Sequence, residues 1–478
     1  MTTLCSLLFT STCLGTCQAL PPPSGNIVVV DSEIEIWNAV NSAISGDTIL
    51  VADGTYNLGG AGYYLWIDVP GITIRSQSGS PEAVVFDDNY LGSEIITVLA
   101  SNVTIANLTI KHARTHAIHV TSSASADTIN TLIYNVRIID PGQQAIKINP
   151  SNGSYFTDYG EIACSVIELT ESGRTEVFDY NGSCYTGGVD GHQSRGWVVR
   201  DNTIEGFWCD DDLSEHGVHF WTGSRDTLVE RNTFINNARG VGFGLQQNGT
   251  GRTYSDTPCP GATGHVGHFG GIIRNNFFFA TDPSLFSSEY GADTGIALAQ
   301  ACGAQIIHNS LAFTSTPFNA IEYRFINTQA IIVNNLATHN ILQRQDGSAD
   351  LAGNLQYQPL TIFKNGTSGD LHISQTSTAA IDQGVSVGAG LCDDDIDGEP
   401  RPVGDTRDIG ADEYVDSLVA EGDVNNDGLV NLKDAILSLR VIAGVDVTGG
   451  LTVKSDVSDD QKIGLEEAIF VLDEVSKQ

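Results

Sequence analysis

A few histidines, cations and acids recur at matching places in a repeated pattern. The pattern is a small residue followed by apolar, any, apolar. It reads "HAIHV" (116–120), "QAIKI" (144–148), "GGVDG" (187–191), "HGVHF" (216–220), "RGVGF" (239–243), "TGIAL" (294–298) and "NAIEY" (319–323). Aligned on it, the middle outward residue is His119, Lys147, Asp190, His219, Gly242, Ala297 and Glu322 in turn. The next outward column includes His192, Trp221 and Arg324, and the residue before the small one includes His116, His216 and Arg239. Lys147 or His219 offers a base, and Asp190 opposes deprotonation of a neighbouring lysine. Arg239 and His216, or a calcium ion held partly by Asp190, would grip a carboxylate. Such a set fits removal of a proton beside a carboxylate, a step that needs a base and positive charge for the developing anion. Trp221 would stack on a flat ligand face. His119, His192, Glu322 and Arg324 complete the expected binding residues. Gly242 and Ala297 leave an empty step, like a floor.

These columns have meaning only if the segments stack. Each pattern is an alternating strand, and most are followed by an apolar run ending at asparagine, as in "VVRDN", "LVERN", "IIRNN" and "IIVNN". The series is Asn107, Asn135, Asn202, Asn232, Asn276, Asn309 and Asn335. Short strands at a recurring spacing with Asn and Gly turns predict a solenoid. Stacked strands lie about 4.7–4.9 Å apart, which would bring Lys147, Asp190 and His219 into line. Segments 150–186 and 246–270 read as insertions leaving after this strand, and 206–215 enters before it. All three would wall the same face. "SEIEIWNAVNSAISGDTILVADGTY" predicts a helix and then a strand, with the helix covering the open first edge.

The chain has 478 residues and a formal net charge of −35, with 58 acidic residues against 23 Lys and Arg. That field repels nucleic acid and anionic membranes. Residues 1–19 read as a signal peptide cut after "CQA", although no Lys or Arg precedes the apolar run. No other stretch is long and apolar enough to span a bilayer. Export, from a bacterial cell to the medium or its surface, makes disulfides permissible, and Cys164 with Cys184 is the expected pair.

Residues 420–478 differ in kind. "DVNNDGLVNLKD" sets Asp423, Asn425, Asp427, Asn431 and Asp434 at positions 1, 3, 5, 9 and 12. Gly428 sits at the turn, and Leu429 would offer its carbonyl. This is the spacing of a calcium loop. A second copy, "DVSDDQKIGLEE", offers Asp456, Ser458, Asp460 and Glu467, with Gln461 in place of the glycine.

Region 25–415 resembles the right-handed, single-stranded parallel β-helix proteins of the pectate-lyase-like superfamily. "CDDDIDGEPRPVGDTRDIGADEY" (392–414) is similar to their terminal caps. The resemblance implies an all-β solenoid acting on carbohydrate. A polysaccharide lyase or C5-epimerase working on an anionic, uronate-containing glycan fits the cationic columns. A β-helix glycoside hydrolase is the alternative, with carboxyls from Asp190, Asp210, Asp211, Asp212 or Glu215. A non-catalytic glycan-binding or surface-display protein is the other. The C-terminal region resembles a small all-α dockerin, which implies two calcium sites and a cohesin-like scaffold as partner. Zinc is disfavoured: His116/His119, His216/His219 and His265/His268 are each three apart, and on a regular strand such residues face opposite sides, so His116 and His216 are expected in the turn before it.

Overall fold

The computed structural model describes residues 17–415, 421–425, 429–445, 455, 457–458 and 462–477. The chain forms two compact units, Met1–Tyr414 and Val415–Gln478. Among the described residues of the first, three long sheets of 14, 10 and 10 strands build a parallel β-helix. One coil gives Leu132–Tyr134 to the first sheet, Arg137–Ile139 to the second and Gln144–Asn149 to the third. The inward residues of that coil, Ile133, Ile138 and Ile146, are fully buried. Alternation thus lines the bore with aliphatic side chains and leaves the intervening residues outside.

The corner between the first and second sheets turns through a left-handed non-glycine residue in eight successive coils. Asn107, Asn135, Cys164, Asp201, Arg231, Asn275, His308 and Asn334 all have φ between +50° and +56°. Asn and Asp, and to a lesser degree His, adopt this geometry at low cost, while Cys and Arg do so against a penalty of about 1–2 kcal/mol. The next residue forms a ladder. Each side-chain amide of Asn202, Asn232, Asn276, Asn309 and Asn335 donates to the carbonyl oxygen of the next, ending on Asn354, at 2.9–3.0 Å. Asn107 and Asn135 belong to the turn position one residue earlier, not to this ladder.

The helix Glu33–Ser42 forms where expected, buries Ile36, Ala39 and Val40, and packs on strands Ile27–Val30, Thr48–Val51 and Leu65–Ile67. Segment 150–186 is not one insertion. It holds regular strands Glu161–Ala163 and Val166–Glu168 of the first two sheets. The real insertion follows, with helix Glu171–Asn181, and lies before the third-sheet strand Gly187–His192. Thr170 caps this helix through its hydroxyl, and Gly182, at φ +67°, ends it.

The expected Cys164–Cys184 pair does not form. Cys17 bonds Cys164, Cys184 bonds Cys209, and Cys259 bonds Cys302. Cys164 occupies the left-handed corner between two first-unit strands, while Cys184 lies beyond the helical insertion, which puts them on different sides of a coil. Cys17 had been expected to leave with the signal peptide, and a cut after Ala19 and this disulfide exclude each other. Leu20 packs beside Ala106, Tyr134 and Ala163. The remainder of that expected signal, residues 1–16, lies outside the described residues. Residues 385–411 run as a strap along the asparagine corner. Their bonds reach Arg231, Asn275, His308, Ser310 and Asn334. The expected cap at 392–414 therefore ties several coils together from the side.

In the second unit, helices Leu432–Ile442 and Leu465–Ser476 pack together. No helix among the described residues is long and apolar enough to cross a membrane.

Candidate functional site

The third sheet places the expected columns in register. His119 pairs with Lys147, Lys147 with Asp190, and Asp190 with His219. His219 continues to Gly242, Ala297 and Glu322. The next column pairs His192 with Trp221, and Ala299 with Arg324. Two earlier rungs, Leu65–Ile67 and Ile96–Val98, extend the sheet below His119.

Asp190 is the hub of the middle rungs. Its carboxylate accepts from Lys147 Nζ and, at 2.9 Å, from Trp221 Nε1. Burial opposes its ionisation, but His192, Lys147 and His219 outweigh that and hold it well below the usual carboxylate range. His192 Nε2 stands 2.9 Å from Lys147 Nζ and 3.1 Å from Trp221 Nε1. Its third neighbour is Asp190 Oδ2 at 3.1 Å, so this nitrogen can take a proton from the Lys147 side and share it with the carboxylate. Trp221 lies flat on His219, with ring centroids 5.1 Å apart and planes 9° apart. Beneath it His219 is fully buried and directs Nε2 to the Gly244 carbonyl at 3.1 Å.

Below the hub, His119 bonds Glu94 at 2.9 Å and also reaches Asn149. Burial pushes Glu94 up, yet His119, Thr97 and Tyr64 hold it down to about 2. His116 is turned away, with Nδ1 on the Gln144 carbonyl at 3.0 Å, and burial pushes it down to about 4.

Above the hub a cleft of about 240 Å³ opens over Gly244, Ala297 and Ala299. Arg239, Arg324 and Arg344 line it with Asp293, Phe318 and Glu322. Arg239 pairs with Asp293 at 2.8 Å, and Arg344 with Glu322 at 2.6 Å. The floor differs from expectation at one rung. A Cβ on Gly242 would stand 2.6 Å from His216 Nε2, so the His216 ring fills that step.

His216 lies in the turn before its strand, as expected, but its ring comes back against His219. Strand geometry begins only at Val218. The two rings lie 4.5 Å apart at 40°. Glu215 joins them, its Oε2 3.2 Å from His219 Nδ1 and 3.9 Å from His216 Nδ1. Burial alone would raise Glu215, but the two rings hold it well below its usual range, while burial pushes His216 down to about 3.

Two walls flank the sheet. The helical insertion is tied through Cys184–Cys209 to segment 206–215. On the other side, residues 244–267 leave the strand Arg239–Phe243, and Cys259–Cys302 staples them. Arg252 of that loop grips Asp158 with two bonds of 2.7 and 2.9 Å. Asp210 and Asp211 line a separate cleft with Glu171, Arg174 and Asp179. Asp212 is spent on the Cys184 and Leu213 amides.

Sequence reasoning missed Arg344, which repeats Arg324 one rung on and was detectable as such. Phe318 and Asp293 come from turns without a period. Also missed was a cluster on another face, where His372 lies against Asp370 and, at 2.9 Å, Asp397, with Asp412 near. Burial pushes His372 down, but those carboxylates raise it to about 9.

In the second unit, Asp423 and Asp434 are buried. Asp434 accepts from the Asn425 and Asn431 amides at 3.1 and 2.9 Å, and Asn431 caps the following helix. Glu467 repeats this on the Val457 and Gly464 amides. Leu429 and Ser458 are described, whereas Asp427, Gly428, Asp456, Asp460 and Gln461 lie outside the described residues.

Solved structures share the fold. The chain is similar to pectate lyase Pel9A, with TM-score 0.54 and 14% identity over 79% of this chain and 90% of that one. An alginate lyase from Paenibacillus sp. str. FPU-7 matches with TM-score 0.45 and 14% identity, over 68% of this chain and 97% of that one. The surface adhesin PfbA of Streptococcus pneumoniae matches with TM-score 0.40 and 13% identity, over 68% and 86%. No family model and no curated protein matches the sequence. The first similarity establishes the parallel β-helix. A fold hosts many activities, so the site must carry the functional argument.

Proposed function

We propose that the chain is an exported, carbohydrate-active β-helix protein that cleaves an anionic, uronate-containing polysaccharide by lyase chemistry. C5-epimerisation would share the first step. One observation carries this reading: the Lys147–Asp190–His219 column continues up the same sheet to a cleft lined by three guanidiniums, on a chain of net charge −35. Guanidinium is the geometric complement of carboxylate. Arg239, Arg324 and Arg344 stand three, five and six rungs beyond Lys147, at least about 14 Å along the stack, so they would hold the carboxylates of neighbouring sugars and fix the glycan in the groove. His219 is sealed under Trp221, so the base falls to Lys147. His192 Nε2 would accept the Lys147 proton and free the amine. Asp190 would keep all three side chains in place. The exposed face of Trp221 would receive a sugar ring, and His119 and Glu322 would border its path.

The test is incubation of the purified protein, with calcium, on alginate, pectate and glycosaminoglycans. Rising ultraviolet absorbance from an unsaturated product is expected, and Lys147→Ala should lose at least about 100-fold in turnover. Reducing ends without absorbance would replace this reading by hydrolysis, and silence on every glycan by binding alone.

For the second unit we propose two calcium sites and docking to a cohesin-like scaffold. Buried Asp423 and Asp434, with oxygen donors at Asn425, Asn431 and the Leu429 carbonyl, form a hard donor set that suits calcium. Asp427, Asp456, Ser458, Asp460 and Glu467 would complete the two loops. Leu432, Ile436 and Leu439 are exposed on one helix, and Leu465, Ile469 and Leu472 repeat them on the other. That paired apolar face would meet the scaffold.

A further inference from the structure

We infer that Glu215, His216 and His219 form a site for one divalent first-row transition metal ion, with zinc the expected occupant. With His219 neutral, the arrangement of these side chains is repulsive as it stands. His219 commits Nε2 to the Gly244 carbonyl, 3.1 Å away, which makes that nitrogen the donor. In the neutral ring its Nδ1 then presents a lone pair. That lone pair faces Glu215 Oε2 at 3.2 Å and Asp190 Oδ1 at 3.8 Å, two oxygens that also carry only lone pairs. Neither the His219 Nδ1 nor the Glu215 Oε2 atom makes a hydrogen bond among the described residues, and neither ring nitrogen of His216 does. His216 is 2% exposed and His219 0%. Four buried polar atoms without partners in one place cost several kcal/mol unless something with positive charge sits among them.

The geometry suits an ion. One ligand atom from each residue lies within 4.8 Å of the others. Two donors held at about 2.0–2.1 Å in tetrahedral directions stand about 3.3 Å apart, close to the 3.2 Å between Glu215 and His219. The outer contacts fit too. A metal-bound histidine usually donates its other N–H to a backbone carbonyl or carboxylate, and His219 does so to Gly244. Two imidazoles with one carboxylate are the donor set of zinc and its neighbours, while calcium takes oxygen alone. Gly242 makes room, since any Cβ there would strike the His216 ring. The nearby Arg239 is neutralised by Asp293 at 2.8 Å. His216 also lines the cleft. Metal binding here stands whether or not the groove takes a glycan.

The test uses the full chain, stripped with chelator and returned to excess calcium, then titrated with zinc alone by calorimetry and metal analysis. One equivalent of zinc should bind, and cobalt in its place should give the visible absorption of a tetrahedral N/O site. Glu215→Gln and His219→Ala should each weaken zinc by at least about 100-fold. His372→Ala, at the other His/Asp cluster, should leave it unchanged. Should His219→Ala fail to fold, Glu215→Gln decides, because that side chain is partly exposed and nearly isosteric. Absence of zinc binding, or equal affinity in Glu215→Gln, overturns the site. In either of those cases His219 would carry a proton between the two carboxylates, visible as an imidazolium by NMR.

Discussion

At the residue scale the decisive group is Asp190. It serves an ammonium, an indole N–H and an imidazole with one carboxylate, at 3% exposure. Removing one partner of a buried ion pair leaves the other charge stranded. Asp190→Ala should therefore cost about 3–5 kcal/mol in denaturant unfolding, and Asp190→Asn clearly less. A loss under about 1 kcal/mol would mean that Lys147 finds water instead. The partners of Asp190 were legible in the sequence because they occupy equivalent positions in successive repeats. Glu94 and Thr97 were not. Glu94 precedes and Thr97 lies in the strand Ile96–Val98, which lacks the small residue that marks the later rungs, although Thr97 stands directly under His119. The inward folding of His216 was hidden for another reason. Alternation describes strands, and His216 precedes one.

At the element scale the asparagine ladder sets the spacing of the coils. Asn276 donates to the carbonyls of Val229 and Arg274 and to Asn309, and accepts from the amide and side chain of Asn232. Asn276→Ala strands several of these groups where no water reaches. Each unmet buried group costs about 1–3 kcal/mol, so a loss of at least about 3 kcal/mol is expected in the same unfolding measurement. The ladder also accounts for the misreading of 150–186. In "EIACSVIE" the corner residue is Cys164 and the ladder position is Ser165, so the asparagine that announces a coil is absent. The backbone turns there all the same, at φ +56°. Packing of Ile162 and Ile167 in the bore overrides the unfavourable corner residue.

At the scale of the whole molecule, buried neutral histidines make stability depend on pH. Burial pushes His116 down to about 4 and His268 down to about 3, and drives His308 well below its usual value. His116 also faces His119, Lys147 and Glu94, and His308 faces Arg401 and Arg407. Unfolded, each would titrate near 6.5. The unfolded chain therefore binds more protons across this window, and stability falls as the pH is lowered. The contribution is complete above about pH 6.5 and disappears as the pH drops through 4 and 3. The melting midpoint should decline steadily from pH 7 to pH 4, and a flat profile would show that these rings are protonated in place.

Lys147, Asp190 and His219 come from the fourth, fifth and sixth of ten rungs in their sheet. A rung in the middle has a neighbour on both sides, and a terminal rung has only one. Loosening of such a stack begins at its ends and works inward. The Lys147–Asp190–His219 column therefore occupies the part of the sheet that opens last, whereas Arg324 and Arg344, on the ninth and tenth rungs, sit at an end that loosens early.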